Sequence, residues 1–291
     1  MNRTTSVIDL GGPVHYANHG VDGPTMVLLH GLGGSHLNWE SATPHLAKHY
    51  RVLAPDLLGF GLTPLAGRRA DVRSQRSLVV RFITEVAQGP VVLGGNSMGG
   101  LIAMMTASRH PELVDKLVLV NPALPIVSSG SISRTTLERL GVPLVPLIGP
   151  VAVKRYYQDT EPERQVEDTL NLLCFDPSRV PPYARARAVE MVRLRQEMEW
   201  ATEAFTQAIR SSTTALLRRG RFAARVLHRI TAPTLLIHGN ADVIVAPASA
   251  AWAAAQRPDW TFRMFDGVGH IPMIEVPETF SETVLTWLED T

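Results

Sequence analysis

Short apolar runs alternate with longer stretches of helical spacing at both ends of the chain, and this alternation most constrains the fold. It is typical of a parallel sheet wrapped by helices. Strands are predicted over residues 14–17, 26–29, 51–54, 91–93, 117–120, 234–237 and 261–265, the first in an opening hairpin with the polar turn to Gly23 and Pro24. Helices are predicted over 39–49 and 74–88. Both ends of the chain therefore belong to one α/β domain.

The alternation breaks after Asn121 and Pro122. From 123 to 230 no strand pattern recurs, and prolines divide the segment into helical pieces. Apolar residues at helical spacing from Met191 to Ile209 predict one amphipathic helix that packs on an apolar surface. Ligands of open α/β sheets bind at the carboxyl ends of the strands. We therefore interpret 123–230 as a helical lid over that edge of a core formed by 1–122 and 231–291.

The composition and net charge indicate the size of the domain and make several kinds of partner unexpected. The chain has 291 residues, of which 45% are hydrophobic and 19% charged, enough for one large domain with an inserted subdomain. A net charge of +1 gives no reason to expect nucleic acid or a membrane surface as a partner. No apolar run approaches the roughly 18 residues of a membrane span, and no signal peptide is recognisable. The single cysteine, Cys174, is expected to be a buried apolar side chain, and a cytoplasmic location is expected.

The sequence Gly-Asn-Ser-Met-Gly at 95–99 lies between a predicted strand and a small-residue helix. A strand–turn–helix of this kind forces its serine, here Ser97, onto a sharp turn that needs glycine on either side. Chance alone supplies the bare pattern in about one chain in ten of this length. Its meaning therefore depends on whether a base and a carboxylate follow where a nucleophilic serine needs them.

Both partners are found in loops that follow strands. The chain has ten histidines, but His270 is distinguished because its glycine-rich loop follows the last strand. Asp242 lies in the loop after strand 234–237; Asp266 is a rival acid by proximity, although it more readily forms the turn. The order Ser97, Asp242, His270 is that of one hydrolase architecture. The glycine-rich segment 30–34 and Met98 offer backbone N–H groups for a developing oxyanion.

On these residues the chain resembles the α/β-hydrolase fold serine hydrolases over nearly its whole length. The matching segments are 30–34 (His-Gly-Leu-Gly-Gly), 56–61 (Asp-Leu-Leu-Gly-Phe-Gly), 95–100, 239–242 and 269–270. The resemblance implies a mostly parallel, eight-stranded sheet with a helical lid after the sixth strand. It also implies Ser97 as nucleophile, Asp242 as acid, His270 as base, and the N–H groups of Leu32 and Met98 as oxyanion hole. Some relatives carry the acid on an earlier strand.

Serine at position 97 indicates acyl chemistry, since aspartate there would indicate an epoxide hydrolase or a dehalogenase. The first hypothesis is a carboxylic-ester hydrolase. The alternative is a carbon–carbon bond hydrolase similar to the meta-cleavage product hydrolases, which also carry asparagine before the serine, as Asn96 does here. Against that reading, Ile271 stands where they usually carry tryptophan. A haloperoxidase-like perhydrolase and a non-catalytic ligand receptor on the same fold are further alternatives.

The expected substrate is a small ester or keto acid, bound beside Gly31 and Asn96. The segment 123–230 is rich in arginine, which usually indicates a solvated helix face. The sharper hypothesis is that Arg185 or Arg187 faces the pocket and binds a substrate carboxylate. We expect no cofactor and no metal, because no phosphate-binding Gly-Lys-Ser/Thr loop or metal-ligand spacing is present. A homodimer is compatible with the resemblance, because many relatives associate through the sheet edge or lid.

Overall fold

The computed structural model describes residues 3–20, 23–127, 141–145, 148–217 and 219–291. Eight strands form one sheet: β1 (Arg3–Asp9), β2 (Pro13–His19), β3 (Thr25–Leu29), β4 (Arg51–Pro55), β5 (Val91–Asn96), β6 (Val114–Val120), β7 (Thr234–Gly239) and β8 (Thr261–Phe265). Their order across the sheet is β1-β2-β4-β3-β5-β6-β7-β8. The β1–β2 and β2–β4 pairs are antiparallel, and all the others are parallel. The expected mostly parallel, eight-stranded sheet is confirmed.

The opening hairpin differs from the prediction. It joins β1 to β2 through a turn at residues 10–12, where Gly11 and Gly12 adopt positive φ. The predicted turn to Gly23 and Pro24 instead leads from β2 to β3, and these strands are separated by β4. The sequence of β1 gave no apolar run because this edge strand alternates polar side chains with few apolar ones.

The helices flank and cap the sheet. They are α1 (Thr43–Leu46), α2 (Val72–Phe82), α3 (Met98–Ala107), α4 (Ile148–Asp159), α5 (Pro162–Leu173), α6 (Pro182–Gln196), α7 (Ala201–Leu216), α8 (Arg219–Arg225), α9 (Pro247–Gln256), α10 (Pro272–Glu275) and α11 (Pro277–Asp290). The helix expected over 39–49 is only a 3-10 turn, His36–Trp39, followed by short α1. The single helix expected from Met191 to Ile209 is two, α6 and α7, with a break at 197–200.

Two apolar layers cover the faces of the sheet, because successive side chains on a strand point to opposite sides. On β6, Leu117 and Leu119 belong to the layer beneath α2 and α3. Val118 and Val120 belong to the opposite layer, which contains Phe280 of α11. All residues of β5 and β7 are buried, as expected for central parallel strands. The sheet therefore fixes the carboxyl ends of β3 to β8 along one edge.

The helices α4 to α8 lie between β6 and β7 in the chain, and we call residues 123–230 the insertion. It packs on the sheet domain at close range, since a Cβ added to Gly59 would lie 2.3 Å from the Ala204 Cβ on α7. Ala204 and Ala208 belong to the same apolar layer as α2 and α3. In the part of the chain that the structure describes, no helix is both long enough and apolar enough to cross a bilayer.

Candidate active site

Ser97 lies on the strained turn between β5 and α3. Its backbone has φ +53° and ψ −117°, a conformation that non-glycine residues rarely adopt. The flanking glycines are required by close contacts. A Cβ on Gly95 would lie 2.4 Å from Gly99 O, and a Cβ on Gly99 would lie 2.3 Å from Leu29 O. The turn therefore presents the serine at the carboxyl end of the central strand, as its motif predicts.

Asp242 lies in the loop after β7 and is buried. Its Oδ1 accepts hydrogen bonds from the backbone N–H groups of Ile244 and Val245 at 2.8 and 3.0 Å. Its Oδ2 accepts from Asn121 Nδ2 and from His270 Nδ1, both at 2.7 Å. With four donors the carboxylate is held in one orientation, aimed at the histidine.

His270 is held by two further hydrogen bonds besides the one to Asp242. Its backbone N–H donates to Leu173 O at 2.6 Å, and its backbone carbonyl accepts from Asn96 Nδ2 at 3.1 Å. Because Asn96 directly precedes Ser97, this bond places the histidine loop beside the serine turn. Since Nδ1 donates to Asp242, the basic nitrogen of the neutral ring is Nε2.

The charges of this cluster favour an ionised acid. Burial alone would raise the pKa of Asp242, but the nearby His270 and the donors around the carboxylate outweigh it, so the net shift of the pKa is downward. Asp242 is therefore ionised at neutral pH. A second histidine, His238, lies with its Nε2 3.4 Å from Asp242 Oδ2, but that nitrogen donates to Val245 O at 2.8 Å. Burial lowers the pKa of His238, so it remains neutral.

The loop 30–34 passes directly over the serine turn. A Cβ on Gly31 would lie 3.2 Å from the Ser97 Cβ, which shows how closely the two backbones approach. Within the described ranges, the N–H groups of Leu32 and Met98 donate to no protein acceptor. Unpaired N–H groups on either side of a serine are the arrangement that an oxyanion needs. Gly31 therefore lies beside Ser97, and its direct contact with substrate stays a prediction.

His30 anchors this loop. Its Nε2 accepts from Leu57 N–H at 3.0 Å, and its Nδ1 donates to Gly31 O at 2.7 Å, which fixes the neutral tautomer. Burial lowers the pKa of His30 to about 4, although the charge of Asp56 opposes the shift. Both ring nitrogens are thus used to shape the loop and not to move protons.

Asp56, His15 and His36 form a buried cluster that contains three groups able to ligate a metal. The carboxylate of Asp56 accepts from the Nδ1 atoms of His15 and His36 at 3.0 to 3.1 Å. It also accepts from the backbone N–H groups of His36 and Leu62, at 2.7 and 2.9 Å. A cation at this place would face four N–H groups. The donor set instead suits an ionised carboxylate, and these donors lower the pKa of Asp56 although its burial alone would raise it.

Two of the side chains predicted to contact substrate, those of Asn96 and Arg185, bind protein groups in the structure. Both amide hydrogens of Asn96 donate to backbone carbonyls, those of Val120 and His270. Arg185 binds Glu167 and the Pro177 carbonyl within the insertion. The Asn96 amide and the Arg185 guanidinium therefore already have hydrogen-bond partners within the protein. Their contact with substrate stays a prediction.

Arg187 lies near one acidic side chain of the sheet domain and one of its own helix. Its Nε lies 3.7 Å from Glu40 Oε2, and its Nη1 lies 3.7 Å from Glu190 Oε2. The structure therefore does not bring Arg187 into contact with Ser97, Asp242 or His270. Its contact with a substrate carboxylate stays a prediction.

Three residues near the site were missed by the sequence reasoning. Asn121 orients Asp242, and Arg195 of α6 donates from Nη2 to Gly33 O in the oxyanion loop at 2.8 Å. Glu275 accepts from Gly269 N–H, directly before His270. Only Asn121 left a signal, because it follows β6 at the same edge of the sheet as the other strand-end residues. The roles of the other two depend on contacts between distant segments.

A family of known proteins and several curated proteins match most of the chain. Residues 24–277 match the family described as alpha/beta hydrolase fold. The chain is 29% identical over 257 residues to a pimeloyl-[acyl-carrier protein] methyl ester esterase of Aromatoleum aromaticum, covering 88% of this chain and 94% of that one. It is 28% identical over 279 residues to a 2-hydroxy-6-oxo-6-(2'-aminophenyl)hexa-2,4-dienoic acid hydrolase of Metapseudomonas resinovorans, covering 91% and 84%.

Solved structures share the fold of this chain. A serine hydrolase from Cycloclasticus zankles superposes with a TM-score of 0.79 at 22% identity, covering 99% of this chain and 98% of the other. Since the family match spans most of the chain, from before β3 to the start of α11, it includes the serine turn, the acid loop and the histidine loop. The chain belongs to the alpha/beta hydrolase fold family, and it is a hydrolase by that relationship.

Proposed function

We propose that the protein is a serine hydrolase that cleaves carboxylic esters through an acyl-enzyme. The observation that carries the proposal is the buried 2.7 Å hydrogen bond from His270 Nδ1 to Asp242, beside the strained turn of Ser97. Asp242 holds the imidazole in the tautomer whose Nε2 can accept a proton. The esterase among the relatives supports ester cleavage as the reaction class.

In the proposed mechanism, Ser97 Oγ attacks the ester carbonyl while its proton moves to His270 Nε2. The carbonyl oxygen gains negative charge, and the N–H groups of Leu32 and Met98 stabilise it. His270 then returns the proton to the leaving alcohol, which departs as the acyl–Ser97 ester forms. Water, deprotonated by His270, hydrolyses that ester and releases the acid. Ionised Asp242 stabilises the imidazolium in both halves.

Labelling with a fluorophosphonate probe tests the proposal. The wild type is expected to be labelled, and Ser97→Ala is expected to lose all labelling and all hydrolysis of nitrophenyl esters. Ser108→Ala, at the C-terminal end of α3, serves as the matched control and is expected to label as the wild type does. A wild type that neither labels nor hydrolyses any ester in a panel of short and long acyl chains contradicts the proposal.

A second candidate, carbon–carbon bond hydrolysis of a dienol keto acid, is supported by Arg195. Its guanidinium bonds Gly33 O at the oxyanion loop, and it is a cation near the site that could meet a substrate carboxylate. The dienoic acid hydrolase among the relatives is consistent with this reaction. Steady-state rates on a dienol keto acid and on nitrophenyl esters separate the two candidates. Faster cleavage of the keto acid favours the second, provided that Arg195→Gln reduces that activity more than ester hydrolysis.

A further inference from the structure

The histidine loop rests directly on the base of the insertion. A Cβ on Gly269 would lie 2.3 Å from Leu173 O and 2.7 Å from Phe175 N, so no side chain separates the two backbones. The N–H of His270 donates to Leu173 O at the C-terminal end of α5. We call the contact between 173–179 and 267–270 the junction. It links the residue proposed as base to a segment of the insertion that lies far earlier in the chain.

Glu275 is the side chain that binds both halves of the junction. It is 2% exposed, and its carboxylate faces backbone N–H groups from each side. Oε2 accepts from Gly269 N–H at 2.9 Å and lies 3.3 Å from Phe175 N, while Oε1 accepts from Asp176 N–H at 2.9 Å. A buried carboxylate with three N–H donors fixes the position of every one of them.

Charged side chains at the rim complete the junction. Arg179 Nη1 donates to Gly267 O at 2.8 Å and lies 3.7 Å from Glu275 Oε1. Its Nε lies 3.4 Å from Asp176 Oδ2. Burial, and then the charge of Glu275, raise the pKa of the neighbouring Cys174 thiol to about 12, so the thiol stays neutral. The polar groups of the junction are thus organised around one carboxylate.

We propose that Glu275 is a positioning residue for the proposed base: it holds Gly269, and through it His270, against residues 173–176 of the insertion. The inference rests on the proposed function, because it concerns the histidine of that mechanism. Small displacements of a reacting group cost large factors in rate, about 100-fold for 1 Å. Loosening the junction therefore lowers the rate of the chemical step and leaves substrate affinity nearly unchanged.

Replacing the carboxylate by a side chain of similar length tests this role. Glu275→Met removes every acceptor, whereas Glu275→Gln keeps one oxygen. For ester hydrolysis we expect kcat to fall roughly tenfold or more in Glu275→Met and by an intermediate factor in Glu275→Gln, with KM within about threefold of wild type. Glu278→Met, on an exposed side chain at the start of α11, is the matched control and is expected to keep the wild-type kcat.

A spectroscopic readout distinguishes positioning from general loss of structure. The His270 Nδ1 proton, hydrogen-bonded to Asp242, is expected to give a low-field proton NMR resonance that shifts or broadens in Glu275→Met and not in Glu278→Met. All rates are measured where circular dichroism shows the variants folded. If Glu275→Met does not fold, Glu275→Gln decides alone.

One result would overturn the inference about Glu275, and a different result would overturn the proposed function. A folded variant of Glu275 with kcat within twofold of wild type and an unchanged resonance overturns the inference. A wild type that neither hydrolyses esters nor labels with fluorophosphonate overturns the proposed function instead. In that case the resonance still reports whether Glu275 orients His270.

Discussion

Asn121 and His270 donate to the same oxygen of Asp242, each at 2.7 Å. The Asn121 amide therefore helps to hold the carboxylate in the orientation that meets the imidazole. Removing it in Asn121→Ala leaves a buried acceptor with one donor fewer, which costs about 1–3 kcal/mol of stability. We expect kcat for ester hydrolysis to fall roughly tenfold as Asp242 loses its fixed orientation. Steady-state kinetics and thermal unfolding measure the two effects.

Asn171→Ala, on an exposed position of α5, is the control for that substitution. It is expected to change neither kcat nor the free energy of unfolding measurably. An Asn121→Ala protein that is as active as wild type would show that the two backbone donors, from Ile244 and Val245, suffice to orient the acid.

The identity of the acid is tested by comparing two aspartates. Asp242→Asn keeps the shape of the side chain but removes its charge and favours the wrong histidine tautomer. We expect kcat to fall by about 10³- to 10⁴-fold. Asp266, the rival by sequence, accepts from Asn240 in an exposed turn, so Asp266→Asn is expected to stay within a few-fold of wild type. The opposite ranking of the two variants would reassign the acid.

Arg195 is expected to support the oxyanion loop. Replacing it in Arg195→Gln removes the bond to Gly33 O. A hydrogen bond from a charged group contributes roughly 1.5–3 kcal/mol, but this one acts on the loop and not on the substrate, so only part of that energy reaches the transition state. We therefore expect kcat/KM for neutral esters to fall about threefold to tenfold, which is up to about 1.4 kcal/mol. Arg193 lies on the same helix, binds Glu163 and is mostly exposed. Arg193→Gln is therefore the matched control, and equal effects from both variants would argue against a specific role for the Gly33 contact.

Gly99 illustrates a glycine that cannot be replaced despite lying in a helix. Alanine normally stabilises a helix interior by about 1 kcal/mol relative to glycine. Here its Cβ would lie 2.3 Å from Leu29 O, so Gly99→Ala is expected to destabilise the protein by about 3 kcal/mol or more, or to prevent folding. Gly89→Ala meets nothing within 4 Å and is expected to be neutral or slightly stabilising. Urea unfolding compares the two, and similar midpoints would contradict the prediction.

The free energy of unfolding is expected to fall on acidification below pH 6.5 because of His30. Its pKa is 6.5 when unfolded and about 4 when folded, so the unfolded chain binds the extra proton between these values. At 1.36 kcal/mol per pKa unit, His30 accounts for roughly 3 kcal/mol of this loss by pH 4. Asp56, whose pKa is lowered from 3.8, adds to the loss only below that value.

His30→Gln removes the titrating ring but keeps a side chain that can donate and accept. Its unfolding free energy, measured in urea from pH 7 to pH 4, is expected to vary less with pH than that of the wild type. Parallel curves for the two proteins would show that other buried histidines, such as His238, cause the dependence.

Much of the arrangement was predictable because it depends on local sequence. The parallel strands come from apolar runs, and the carboxyl ends of parallel strands meet at one edge. Ser97, Asp242 and His270 each follow such a run, so their common location needed no knowledge of side-chain direction. The tight turn at Ser97 was predictable for the same reason, because its glycines are adjacent in the chain.

The side-chain contacts that were not predicted join segments that are distant in the chain. Asn96 binds carbonyls of β6 and of the histidine loop, which lie far from it in the chain, and its predicted contact with substrate stays a prediction. Arg185 lies beside Glu167 and Arg187 beside Glu40, and these carboxylates lie on other elements. Such pairings between separate elements could not be predicted from the sequence. The break between α6 and α7 was missed because apolar spacing continues across residues 197–200.

The bond from His270 N–H to Leu173 O has a consequence for engineering this family. Exchanging the segment between β6 and β7 for that of another hydrolase is an obvious way to alter substrate range. Such a graft would replace the carbonyl that receives the histidine N–H and the two N–H groups that Glu275 binds. A functional chimera of this protein should therefore keep residues 173–176 with the host, and place the crossover points on either side of them.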